Sequence, residues 1–288
     1  NTLKEYFHFG KFTFLGQIGD MIRFRVDVMV IGAMIGSSFV VPYNIALELL
    51  RMATEATSNV VTGTQPIFTK YYAEGRMDQV REKLMFLTRI NVAVSTIFAC
   101  SLLLVAQPFI AIWVGPEYLS AFIPLMILTA IMPIGVGQNS AVQVFYALSK
   151  HRYYAYINLI EAAFNLTISL LLVKQYGIIG VALGTAIPFV FSKCIFVPYY
   201  ICKFTEIALK EYLFNIAKVV VLILLMETGC LGLILYYQLD SIWVVFPLAS
   251  IWQIFLGIIL IKFFASKEDY AYAVNTVPFL GKILRREF

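Results

Sequence analysis

Along its whole length this chain repeats apolar stretches about as long as the hydrocarbon core of a bilayer is thick. A helix needs about twenty consecutive apolar residues to cross that core, and about eight stretches qualify. They run approximately from Phe12 to Gly36, Val40 to Ile67, Leu84 to Trp113, Phe122 to Leu148, Tyr154 to Val173, Ile178 to Ile201, Phe214 to Tyr237 and Ile242 to Phe264. Backbone in lipid must satisfy its own N–H and C=O groups, which leaves only helices and closed barrels. The alternating ten-residue segments of a barrel are missing from the sequence. The expected fold is an all-α integral membrane protein, a polytopic bundle of about eight transmembrane helices. With 60% hydrophobic and 14% charged residues over 288 positions, a soluble domain is excluded.

Short cytoplasmic loops retain Lys and Arg, and here these residues gather on alternate connections. Thr69 to Lys83, Ser149 to Tyr153 and Cys202 to Tyr212 carry them, as do Lys4, Lys11 and the tail from Lys267. The opposite connections, Ser37 to Phe39, Gly115 to Ser120, Lys174 to Gly177 and Gln238 to Ser241, carry only Lys174. This alternation predicts a multi-pass protein of the cytoplasmic (inner) membrane with both termini cytoplasmic. The formal charge of +5 is then topological and suits membrane lipids with anionic headgroups. No basic patch is interleaved with aromatics on a soluble domain, so nucleic acid is excluded as a partner.

Cys100, Cys194, Cys202 and Cys230 are scattered without metal or redox spacing and read as free packing thiols. His8 and His151 fall in cytoplasmic segments with no nucleophile or ligand beside them. No catalytic arrangement, metal site or cofactor follows, and the chain is not expected to be an enzyme. It opens on Asn1 and not on a methionine, which fits a piece of something larger.

Several breaks are predicted along the spans. Pro66 is expected to close the second helix, Glu74-Gly75-Arg76 to turn, and Met77 to Leu84 to start an amphipathic helical turn leading into the third span. Pro133, Gly135 and Gly137 should kink or partly unwind the fourth. Gly177, Gly180 and Gly184, at spacings of three and four, leave one face of the sixth bare for a close neighbour. Aromatics near span ends, among them Tyr71, Tyr72, Trp113, Tyr118 and Tyr153, read as interfacial anchors.

Charge inside the spans is the functional signal. Asp20, Arg23, Arg25 and Asp27 sit in the first; at roughly 2.5 to 3.5 kcal/mol per ion at mid-membrane they cost about 10 to 14, while apolar neighbours return only about 0.3 to 0.6 each. That side of the helix cannot face lipid. The second span adds Glu48, Arg51 and Glu55, on one face at spacings of three, four and seven, as Asp20, Arg23 and Asp27 are on theirs. Counting depth outward from the turn at Ser37 and Ser38 sets Asp27 level with Glu48, Arg23 with Arg51, and Asp20 with Glu55. Acid then lies on acid and base on base. An anion between the arginines relieves the middle layer, because guanidinium binds phosphate bidentately and stays charged when buried. A pyrophosphate headgroup is a sensible guest, with the four acids holding the arginines or accepting a coupling cation, H+ or Na+. A purely structural ion-pair ladder is the competing reading. On the fifth span Asn158, Glu161 and Asn165 form another one-face stripe, suited to sugar hydroxyls or to interhelical hydrogen bonds. Lys193 is expected to snorkel to the cytoplasmic end, and Glu227 to titrate or to find Lys218 on its own helix.

Four runs carry a family resemblance: RVDVMVIGAMIGSSFVVPYNIALEL (Arg25 to Leu49), PIFTKYYAEGRMDQVREKL (Pro66 to Leu84), FIAIWVGPEYLSAFIPLMIL (Phe109 to Leu128) and ALSKHRYYAYINLIEAAFNLTISLLLVKQYGIIGVALGTAI (Ala147 to Ile187). The chain resembles the polysaccharide biosynthesis proteins of the multidrug/oligosaccharidyl-lipid/polysaccharide exporter superfamily, which include the O-antigen (Wzx-type) flippases. Full-length members have about fourteen spans in two six-helix lobes plus a pair. The resemblance implies a C-terminal lobe of that MATE-like architecture, with residues 1–212 as spans seven to twelve, 213–264 as the last helix pair and 265–288 as a cytoplasmic tail. It implies translocation of an undecaprenyl-pyrophosphate-linked oligosaccharide by alternating access, with an N-terminal lobe missing from this chain. Asp27 and the Arg23/Arg25 pair stand where the family has a charged start to its seventh span. Two rivals stay open: a cation-coupled multidrug antiporter of the same superfamily, which usually needs acids without paired arginines, and a membrane-embedded polysaccharide polymerase or ligase, which would need a large exoplasmic loop.

Overall fold

The computed structural model describes residues 26–58, 61, 63–236 and 242–264. Every regular element among them is helical. In chain order they are α1 (26–34), α2 (Val40–Ser58), α3 (Gln65–Ala73), α4 (Met77–Trp113), α5 (Phe122–Gly137), α6 (Asn139–Ala147), α7 (His151–Phe191), α8 (Val197–Thr205), α9 (Leu209–Tyr236) and α10 (Ile242–Phe264). Short 3-10 turns at Ser37–Phe39 and Pro116–Ala121 lead into α2 and α5, and a π-helical turn at Ser192–Phe196 joins α7 to α8.

Three runs, Met77–Trp113, Pro116–Ala147 and His151–Thr205, are long and apolar enough to cross a membrane. As a straight rod the third, 55 residues, would extend about 80 Å against a hydrocarbon core of about 30 Å. It is a hairpin. Gly177 adopts φ 58° and ψ −136°, a left-handed value that a Cβ would penalise, and the chain reverses there. Asn165 Nδ2 donates to Thr185 Oγ1 at 2.8 Å, and Ser169 Oγ reaches the Val181 carbonyl at 3.5 Å. The two arms (151–176 and 178–191) touch backbone to backbone on the expected bare glycine face. A Cβ at Gly180 would enter the Leu172 carbonyl, and one at Gly184 would enter Ser169.

The elbow forms as expected from Glu74 onward, with α4 starting at Met77. Pro66 behaves differently from expectation: α2 already ends at Ser58, and Pro66 sits in the first turn of the short α3. Its ring fixes a helical φ and its missing N–H is one that a first turn leaves unbonded anyway, so it starts a helix there and does not close one. The fourth span breaks at Gln138, one residue after Gly137, into α5 and α6.

The apolar core divides by depth. One cluster lies at the end of the bundle that holds the turns at Ser37, Pro116 and Gly177; it joins Ile31, Tyr43, Ile110, Leu125 and Val181. A second lies at the end where Lys and Arg gather; it joins Phe68, Leu84, Phe145, Ile201 and Tyr212. A third, with Val92 and Ile97 of α4, Val219 and Ile223 of α9 and Leu256 of α10, fastens the last helix pair to α4. The spans therefore alternate up and down, with the basic connections at one end.

Candidate functional site

The open part of the site is the outer face of α2. Glu48, Arg51 and Glu55 follow one another at helical spacing, and the guanidinium closes both steps. Arg51 donates from Nε (2.9 Å) and Nη2 (2.5 Å) to Glu48, and from Nη1 (2.5 Å) to Glu55. The Arg51 side chain keeps 52% of its surface exposed. Three of its five N–H donors are engaged, so two remain to face outward. The triad carries one positive and two negative charges, a net of −1. It lines a cavity of about 800 Å³ together with Asn44, Thr54 and Trp113.

Behind α2 a smaller cavity of about 260 Å³ shares Leu50 and Thr54 with the first and runs past Ser58 and Asn139 to Thr185 and Lys193. Its rear wall is a buried polar seam. Asp27 on α1 is 0% exposed and accepts hydrogen bonds from Tyr43 Oη (2.8 Å) and Thr185 Oγ1 (2.6 Å). Thr185 in turn accepts from Asn165. Two turns past Thr185 toward the basic end, Lys193 Nζ lies 3.6 Å from Glu161 Oε2 and donates to Asn158 Oδ1 at 3.3 Å, with the Tyr154 and Phe189 rings beneath it. Gln138, in the break between α5 and α6, donates to the Lys193 carbonyl (3.1 Å) and accepts from Tyr212 Oη (2.8 Å).

Among the residues expected to form the site, Glu48, Arg51 and Glu55 share an open face, whereas Asp27, Asn158, Glu161 and Asn165 are enclosed in the seam. Asp20, Arg23 and Arg25 lie outside the described residues, as does the Arg23–Arg51 register. Two expectations are corrected. Lys193 does not snorkel: it is buried and turns inward to Glu161. The arm that carries it runs toward the basic end, and helical side chains lean toward their own N-terminus, here into the bundle. Glu227 does not meet Lys218: nine residues at 100° each place them about 180° apart on α9, and Glu227 is buried with Gln253 of α10 as a polar neighbour.

Comparison with known proteins places this arrangement. Residues 1–123 match the profile of a family described as "Polysaccharide biosynthesis protein". The membrane protein EpsK of Bacillus subtilis (strain 168), described as uncharacterized, is 25% identical over 207 residues, 71% of this chain and 41% of its own length. The teichuronic acid biosynthesis protein TuaB of the same strain is 27% identical over 133 residues, 46% of this chain and 27% of its own. By sequence the chain is similar to polysaccharide biosynthesis proteins and to an uncharacterized membrane protein. It spans less than half the length of these two relatives. In fold it is similar to the lipid II flippase MurJ in an inward closed conformation, with a TM-score of 0.67 at 13% identity over 90% of this chain and 54% of that one. About half the length of that chain thus has the same helical arrangement as this one.

Reading the sequence missed Tyr43, Thr185 and the inward role of Lys193. The signal for Lys193 was present: counting outward from the turn at Gly177, as was done from Ser37, sets Glu161 and Lys193 sixteen residues away on either arm, whereas Asn165 and Thr185, twelve and eight residues from the turn, meet one helical turn out of that count. Tyr43 had no comparable signal, since an apolar-looking aromatic near a span end reads as an anchor.

Proposed function

We propose that this chain is one lobe of a transporter that moves a lipid-linked oligosaccharide, carried on an undecaprenyl-pyrophosphate-type anchor, across the cytoplasmic membrane. The observation that carries the reading is the match to half of a flippase fold, joined to a charged, exposed α2 face on a cavity of about 800 Å³. Alternating access works with paired lobes, so the facing wall comes from a segment beyond this chain, and the lobe alone does not transport. The basic end is cytoplasmic, as positive-inside retention requires. Arg23, Arg25 and Arg51 meet the pyrophosphate, Glu48 and Glu55 hold Arg51, and the Asp27 enclosure takes a coupling H+ or Na+, for which a carboxylate and two hydroxyls provide hard donors.

A second reading has one observation in its favour: the described α2 triad is net negative, which suits a cationic cargo and hence a drug antiporter. Deleting the gene and analysing the lipid pool separates the two. Accumulation of a pyrophosphate-linked oligosaccharide facing the cytoplasm supports the flippase reading. An unchanged pool with new sensitivity to cationic drugs supports the antiporter and ends the first reading.

A further inference from the structure

On the side of the bundle away from the cavity, α4 and α9 run parallel from the basic end and leave a groove of about 650 Å³ between them. Its outer layer is mixed and satisfied: Arg81 donates to the Thr205 carbonyl (2.5 Å), to Glu206 (2.6 Å) and to Asp78 (3.1 Å). Midway, Asn215 Nδ2 donates to the Met85 carbonyl at 3.0 Å and ties the two helices. One turn further in, Arg89 and Lys218 both line the groove. Among the described residues neither makes an ion pair, and Arg89 Nε is buried with no hydrogen-bond partner. The acids of the groove on these two helices, Glu82 and Glu211, lie seven residues back, about 10 Å toward the surface.

Two cations without a carboxylate at their depth, one holding a buried N–H unmet, call for an anion. Both side chains lean toward their helix N-termini, toward the headgroup region, which brings guanidinium and ammonium to the level of lipid phosphates. Deeper in the membrane the wall continues as an apolar face of α9: Val221 and Leu225, three and seven residues past Lys218, are 54% and 65% exposed, as lipid-facing residues are. Free phosphate needs no such wall; an acyl chain does. We infer that the α4–α9 groove binds the phosphodiester of an anionic glycerophospholipid, with Arg89 and Lys218 as its anchors and the lipid chains lying along Val221 and Leu225. This site is independent of the cargo cavity and of the transport reading.

The test uses the full protein purified in nonionic detergent, titrated with dioctanoyl phosphatidylglycerol and followed by native mass spectrometry and thermal melting. Dioctanoyl phosphatidylcholine and inorganic phosphate serve as comparators. Phosphatidylglycerol should bind and raise the melting temperature, while the other two do neither at equal concentration. Lys218 is exposed, so Lys218→Gln leaves the fold intact and weakens phosphatidylglycerol binding about tenfold, the size of one charge-assisted hydrogen bond; adding Arg89→Gln weakens it further, whereas Lys70→Gln at the same end changes nothing. Equal binding of phosphatidylcholine, full competition by inorganic phosphate, or unchanged affinity in Lys218→Gln would overturn the inference.

Discussion

Two spans carry the same polar rhythm with opposite outcomes. On α2, Glu48, Arg51 and Glu55 pair with one another along a single helix and stay open to a cavity. In the α7 hairpin, Asn158, Glu161 and Asn165 are completed across the turn by Lys193 and Thr185 and are sealed from solvent. Spacing of three, four and seven says only that polar groups share a face. Which neighbour that face meets decides between wall and seam: a glycine-bare arm closes α7, while nothing among the described residues closes α2.

The largest effect should come from splitting the sealed pair. Lys193→Met leaves Glu161 enclosed without its cation and should cost about 3 to 5 kcal/mol, read as loss of melting temperature and membrane level; Glu161→Leu added to it should restore most of that loss. Failure of the double variant to recover would mean that the pair does more than satisfy itself. Next, Tyr43→Phe removes a hydroxyl donor from the Asp27 carboxylate and should cost about 1.5 to 3 kcal/mol in thermal or denaturant unfolding. A similar loss, about 1 to 3 kcal/mol, is expected for Gly180→Ala, whose methyl would push the Leu172 carbonyl away and part the two arms.

The helical character of the described spans was legible because length and apolarity settle it, and so was the unwinding after Gly137, where Pro133 and two glycines weaken one helix. The end of α2 at Ser58 was not legible. Pro66 is compatible with ending a helix and with starting one, and only packing separates these. Glu48, Arg51 and Glu55 were readable as one face; that they pair within α2 follows from i, i+3 and i, i+4 reach. The seam around Asp27 was only half readable, since Asp27 and Thr185 stand 158 residues apart and meet through the whole bundle.

On the open side the smallest change in stability should accompany a complete change in function. Arg51→Ala is expected to melt as the parent does and to stop export of the oligosaccharide, and Arg51→Lys should rescue poorly, because an ammonium loses the bidentate hold on Glu48. Export unaffected by Arg51→Ala would make the triad a structural ladder.

The difference between wall and seam can be read directly by thiol accessibility. With Cys100, Cys194, Cys202 and Cys230 replaced, the variants Arg51→Cys, Glu55→Cys and Asn158→Cys are treated in membranes with a charged, water-soluble methanethiosulfonate. Labelling at Arg51→Cys and Glu55→Cys, with Asn158→Cys protected until the protein is denatured, is the predicted result. Labelling of the α2 positions only by a lipid-soluble maleimide, or equal labelling of Asn158→Cys, would contradict a hydrated cavity along α2.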